Sequence, residues 1–116
     1  MARLTDKGVI MAWIYLVTAG FCEIGWPLGL KLSQTTGHKL LWILFAAVSM
    51  AVSGLLLWMA QRSIPIGTAY AVWTGIGATG TFLVGILLFK DPATILRVLS
   101  VTFIVIGIVG LRLSHP

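Results

Sequence analysis

A chain of 116 residues that is 59% hydrophobic and 9% charged, with a mean hydropathy of +1.04, departs sharply from a water-soluble domain, in which about a quarter of residues are charged. It reads as a single membrane unit, too short to carry a soluble domain beside its spans. The net charge of +5 comes from eight Lys and Arg against Asp6, Glu23 and Asp91; the basic residues stand singly at the ends of apolar runs, which fits snorkelling and contact with anionic headgroups and argues against a nucleic-acid surface.

Residues 1–10 are expected to be an N-terminal extension ahead of a start at Met11, and residues 11–116 to form the four-helix membrane unit. Residues 8 to 30, between Lys7 and Lys31, hold no charge except Glu23 and predict a first helix over about 9–31. This run sits where a signal peptide would, but it is too long and Glu23 interrupts it, so it is expected to be retained. The segment Ser33-Gln34-Thr35-Thr36-Gly37-His38 links it to a second apolar run, predicted helical over 39–61. The third run is predicted over 64–89 with Pro65 in its first turn, where a missing N–H costs little, and the fourth over 92–112 with Asp91 as N-cap and Pro92 at N1. Trp13, Trp42 and Trp58 lie near run ends, where aromatic belts form. Cys22 is the single cysteine, which excludes an intrachain disulfide and a cysteine metal set.

With four spans, the N-terminus, second loop and C-terminus share one side, which carries Arg3, Lys7, Arg62 and Arg112. The opposite side carries Lys31, Lys39, Lys90 and Arg97. Orientation follows Lys/Arg imbalance near helix ends. A balance of this kind gives no instruction, and dual topology follows as a reading.

Glu23 lies deep in the first run, where an acid is costly: about 2.5–3.5 kcal/mol for Asp on insertion scales. No Lys or Arg stands at comparable depth to pair with it. One reading is a protonated Glu hydrogen-bonded to a neighbouring helix; the favoured one is a carboxylate that exchanges a proton for a cationic ligand. Spacing places Ala19, Glu23, Trp26 and Leu30 in one stripe, so Trp26 stands beside the acid. Tyr70 and Trp73 form a second aromatic pair three apart, and aromatic rings beside a buried anion suit a cation. Gly67, Ala71 and Gly75, then Gly25 and Gly29, and Gly107 with Gly110, let helices approach closely in lipid. Gly75, Gly77 and Gly80 make the third helix easy to bend. Pro27 lacks the N–H that would bond the carbonyl of Glu23, so a kink is expected to open the first helix at the acid. No paired carboxylates, phosphate loop or metal-ligand spacing occurs, and His38 and His115 lie at the edges; the chain is not expected to be an enzyme or to need a cofactor.

Glu23 in the first of four short helices, together with Pro65-Ile66-Gly67-Thr68-Ala69-Tyr70-Ala71-Val72-Trp73-Thr74-Gly75-Ile76-Gly77-Ala78 opening the third, resembles the small multidrug resistance family of proton-coupled exporters over residues 11 to 113. Glu23-Ile24-Gly25-Trp26 followed by Lys31 is similar to its guanidinium-exporter subtype; the quaternary-ammonium subtype generally lacks a Trp at the position of Trp26. The resemblance implies an all-α integral membrane protein with four transmembrane helices per subunit, paired as an antiparallel, dual-topology homodimer in the bacterial plasma (inner) membrane. It implies Glu23 as the substrate- and proton-binding residue, Trp26, Tyr70 and Trp73 as lining, and Ser53 as a hydrogen-bond partner near Glu23. It also implies flexibility at Gly75 and Gly77, dimer packing at Gly107 and Gly110, and the second copy, a guanidinium-type cation, protons and the bilayer as partners. An exporter of quaternary ammonium or other lipophilic cations, a non-transporting membrane subunit and, further off, a lipid-linked-sugar flippase subunit are the alternatives.

Overall fold

The computed structural model describes residues 7–114; Arg3, Asp6 and His115, and with them most of the expected N-terminal extension, lie outside the described residues. Four helices follow one another: α1 Lys7–Thr35, α2 Lys39–Ala60, α3 Ile66–Phe89 and α4 Ile95–Ser114. Each is long and apolar enough to cross a membrane. Tyr70, Leu87, Ile95 and Phe103 are among the many large apolar or aromatic side chains left exposed. In water that exposure would be unfavourable, whereas lipid tails solvate it. The chain is a multi-pass membrane protein.

The helix ends differ from the sequence reading at both ends of α1 and at the starts of α3 and α4. α1 begins at Lys7 and so takes in residues 7–10, with Val9 buried in the core; it also runs on to Thr35, which shortens the first link to Thr36, Gly37 and His38. Pro65 is the N-cap of α3 and not a first-turn residue, and the preceding Ile64 is buried. Asp91 does not cap α4. Lys90 closes α3 in the left-handed conformation (φ 58°), and the Asp91 N–H donates to the Gly85 carbonyl at 3.0 Å, so Asp91 is spent on finishing α3. Thr94 starts α4 instead, its hydroxyl accepting from the Arg97 N–H at 3.4 Å and its carbonyl from Val98 at 3.0 Å.

α1 packs most extensively on α2 and next on α3, α3 packs on α4, and α2 touches α3 only slightly. The α1–α2 seam is close because Gly25 faces Ser49 and Gly29 faces the Trp42 carbonyl, leaving no room for a Cβ at either. The core gathers Val9, Ala12, Trp13 and Leu16 of α1 with Ala60, Ile64, Ala69 and Val72. Trp13, expected as an interfacial anchor, is thus a core residue, with the Arg112 guanidinium 4.9 Å from its ring centre. Trp58 does remain exposed, under the Arg62 guanidinium at 4.5 Å. No described residue of α4 is buried.

Candidate functional site

At about 1.5 Å per residue, Glu23 stands about 18 Å from the last residue of α1, well within the span. Its side chain is half-buried and lies against α3 at Gly77, where an added Cβ would come within 2.6 Å of Glu23 Cγ. Glycine at 77 is therefore what lets the acid fit between α1 and α3. One turn along α1, Trp26 donates its indole N–H to Glu23 Oε1 at 2.5 Å. The three-residue spacing of a helix makes that contact local, independent of the rest of the fold.

The second carboxylate oxygen is served from α2. Ser53, fully buried, lies with Oγ 3.3 Å from Glu23 Oε2 and 2.7 Å from the Ala19 carbonyl, and it accepts the Trp73 indole N–H at 2.8 Å. A serine hydroxyl has one hydrogen. It can be given to Ala19 or to Glu23, not to both at once. Charge on Glu23 draws the hydrogen towards the carboxylate, since bonds to an ionised acceptor are the stronger ones. Through Trp73 this rotor joins α1, α2 and α3.

An open cavity of about 280 Å³ adjoins the acid, lined by Glu23, Trp26 and Pro27 of α1 and by Thr74, Gly77, Ala78 and Thr81 of α3. Among the described residues that line it, Glu23 is the one ionisable side chain. Thr74 and Ala78 entered the sequence reading only within the third-helix motif and Thr81 not at all, although Thr74, Gly77, Ala78 and Thr81 follow the three-and-four spacing of one helix face. Tyr70 stands next to Trp73, ring centres 5.5 Å apart and 52° between planes, but is exposed and does not line this cavity. The structure thus unites Glu23, Trp26, Ser53 and Trp73 in one hydrogen-bonded chain and leaves Tyr70 at its edge.

The remaining residues fall elsewhere. Gly75 is buried against Ile108 of α4, so its lack of a side chain serves helix contact. α1 is helical straight through Pro27. Gly107 and Gly110 meet no atom within 4 Å of where a Cβ would stand. Among the described residues no group of three or more His, Cys, Asp or Glu is placed to hold a metal ion.

The family model described as Small Multidrug Resistance protein matches residues 11–104. The chain belongs to the small multidrug resistance family. Its similar relatives are named guanidinium exporters: that of Yersinia pestis is 49% identical over 104 residues, covering 90% of this chain and 99% of the relative. Those of Escherichia coli (strain K12), 46% identical over 104 residues, and Citrobacter freundii, 48% over 105, each cover 90% of this chain and 98% of the relative. Glu23, Trp26, Ser53 and Trp73 all fall within the segment matched by the family.

Proposed function

We propose that this small multidrug resistance chain exports guanidinium and related small guanidinyl cations across the bacterial inner membrane in exchange for protons. In this reading it works as an antiparallel homodimer, with Glu23 of both subunits alternately holding protons and substrate. The observation that carries the reading is the setting of Glu23: a carboxylate deep in an apolar span, beside a cavity whose described lining holds no basic residue, its two oxygens facing N–H and O–H donors from α1 and α2. The names and the near-half identity of the relatives supply the substrate.

Guanidinium is planar, and its paired N–H groups meet a carboxylate in two parallel bonds. A quaternary ammonium has no such donors. Proton and cation compete for the same oxygens, so Glu23 cannot hold both. If only occupied states interchange between the two faces of the membrane, an inward proton gradient drives the cation outwards. The Ser53 hydroxyl gives the exchange a way to be felt outside the carboxylate: its hydrogen turns from Ala19 to Glu23 as the charge appears, and the bond from Trp73 carries the change to α3. Gly75 and Gly77 and the proline at 27 are the places where α3 and α1 then flex. The even division of Lys and Arg about the spans supports dual insertion, and the unburied α4, with Gly107 and Gly110 open, supports a second copy as its partner.

Transport into proteoliposomes tests the reading. Guanidinium is expected to move against an imposed proton gradient, with apparent affinity rising with pH as protons compete less, and tetra-alkylammonium is expected to move far more slowly. Guanidinium flux indifferent to the proton gradient refutes the exchange; preference for tetra-alkylammonium transfers the function to the quaternary-ammonium exporters.

A further inference from the structure

The cavity at Glu23 does not end at the acid. A second cavity of about 260 Å³, lined by Pro27, Leu28 and Lys31 of α1, Thr81, Val84, Gly85 and Phe89 of α3, and Asp91, shares Pro27 and Thr81 with it. The two make one cleft between α1 and α3, running from Glu23 to the end of the span. At its mouth stand an acid and a base, both exposed.

The acid is placed there by the backbone. The left-handed turn at Lys90 folds the chain back, the Asp91 N–H bonds the Gly85 carbonyl, and the Asp91 carboxylate comes to lie over Gly85, where a Cβ would collide with Oδ2. Gly85 is buried and bare, and so makes the seat. The other charges of this end are basic. Lys31 lines the same cavity without forming an ion pair with Asp91, Lys90 caps α3, Lys39 opens α2, and Arg97 stands over the Phe82 ring at 5.2 Å. Among the described residues Asp91 is the one carboxylate besides Glu23, and the same cleft serves both.

We propose that Asp91 is an outer binding carboxylate for the transported cation, a waiting site at the mouth of the cleft leading to Glu23, with Lys31 as the positive charge on the same wall that opposes the cation's approach. The proposal rests on the guanidinium-export reading and adds a second site to it. An end of the span that carries mainly positive charge repels a cation, and one acid on the path offsets that repulsion where it matters. Guanidinium engages a carboxylate with two parallel N–H bonds, whereas Lys31 makes no ion pair with Asp91 and acts only as a nearby point charge, so the acid is open to the substrate. The site acts on capture and not on the exchange at Glu23. Its mark is therefore on KM.

The test is guanidinium transport by the full chain in proteoliposomes, with KM and kcat separated at low and high ionic strength. Asp91→Asn is expected to raise KM about threefold to fivefold at low salt with kcat retained, the difference fading as salt screens the exposed carboxylate. Lys31→Gln, which removes the opposing charge, is expected to lower KM, and Gly85→Ala, which keeps the acid's charge but fills its seat, to raise it. An Asp91→Asn protein with the parent's KM at low salt overturns the outer site, and so does a Lys31→Gln protein whose KM rises. Should Asp91→Asn fail to give a folded dimer, the Lys31→Gln result decides by itself. A parent chain that does not transport guanidinium refutes the export reading, whereas parental transport with unchanged variants refutes the outer site alone.

Discussion

The first three helices and the fourth are built on opposite terms. α1, α2 and α3 close over a buried serine and a half-buried acid, with glycines at 25, 29 and 77 whose missing side chains are filled by neighbouring atoms. α4 buries no described residue and, by close backbone approach, meets only α3; its glycines at 107 and 110 face empty space. Exposed apolar surface costs nothing in lipid, so exposure alone does not separate the two regions. The glycines do. A small residue in a helix gains no packing unless something approaches it, and in the first region the approach is made within the chain at Gly25, Gly29, Gly77 and most of the other glycines, Gly54 and Gly67 being open. In the fourth helix neither Gly107 nor Gly110 is approached from within the chain.

Variants of the first region should therefore strike the site, and variants of α4 should strike assembly. The largest effect is expected for Glu23→Gln, which removes the charge that the Trp26 and Ser53 donors face and that the proposed exchange needs: proton-coupled guanidinium transport should fall about a hundredfold or more while the proposed dimer still forms. Full transport by this variant, measured in vesicles, would refute the exchange mechanism. Ser53→Ala leaves the Trp73 indole N–H and one Glu23 oxygen without their partner, and should destabilise the fold by about 1–3 kcal/mol in a reversible unfolding assay. It should also weaken the pH dependence of substrate binding. Gly77→Ala puts a methyl where Glu23 Cγ lies, and should raise the guanidinium dissociation constant about tenfold by displacing the carboxylate.

Pro27→Ala restores the N–H that the Glu23 carbonyl lacks, and should slow transport a few-fold with little change in binding; an unchanged rate removes Pro27 from the moving parts. The smallest effect on the site, and the sharpest contrast, comes from Gly107→Leu with Gly110→Leu. Cation binding by whatever dimer remains should be near normal, while the dimer dissociation energy measured in bilayers should fall by about 1 kcal/mol. Undiminished dimerisation would mean that α4 is not the partner surface.

Much of this was legible in the residues. Four charge-bounded apolar runs set the four spans because the bilayer fixes a length and penalises charge within it. The Glu23–Trp26 contact followed from helical spacing, which no tertiary arrangement alters. Tyr70 illustrates the limit of the same rule: spacing pairs it with Trp73 correctly, but only the packing of α3 determines that Trp73 turns inward to Ser53 while Tyr70 stays outside. Asp91-Pro92 misled for a related reason, since a helix N-cap and the turn that closes the preceding helix compete for the same residue, and the left-handed Lys90 decides between them.

The sequence by itself determined that this is a four-span membrane chain of the small multidrug resistance family, with one acid deep in the first span and a tryptophan beside it. Those features depend on local spacing and on the thickness and polarity of lipid. Which helices close around that acid was decided only in three dimensions. Ser53 reaches Glu23, and Trp73 reaches Ser53, because glycines let α2 and α3 come close to α1, and Asp91 arrives at the mouth of the same cleft because one left-handed residue turns the chain back over Gly85.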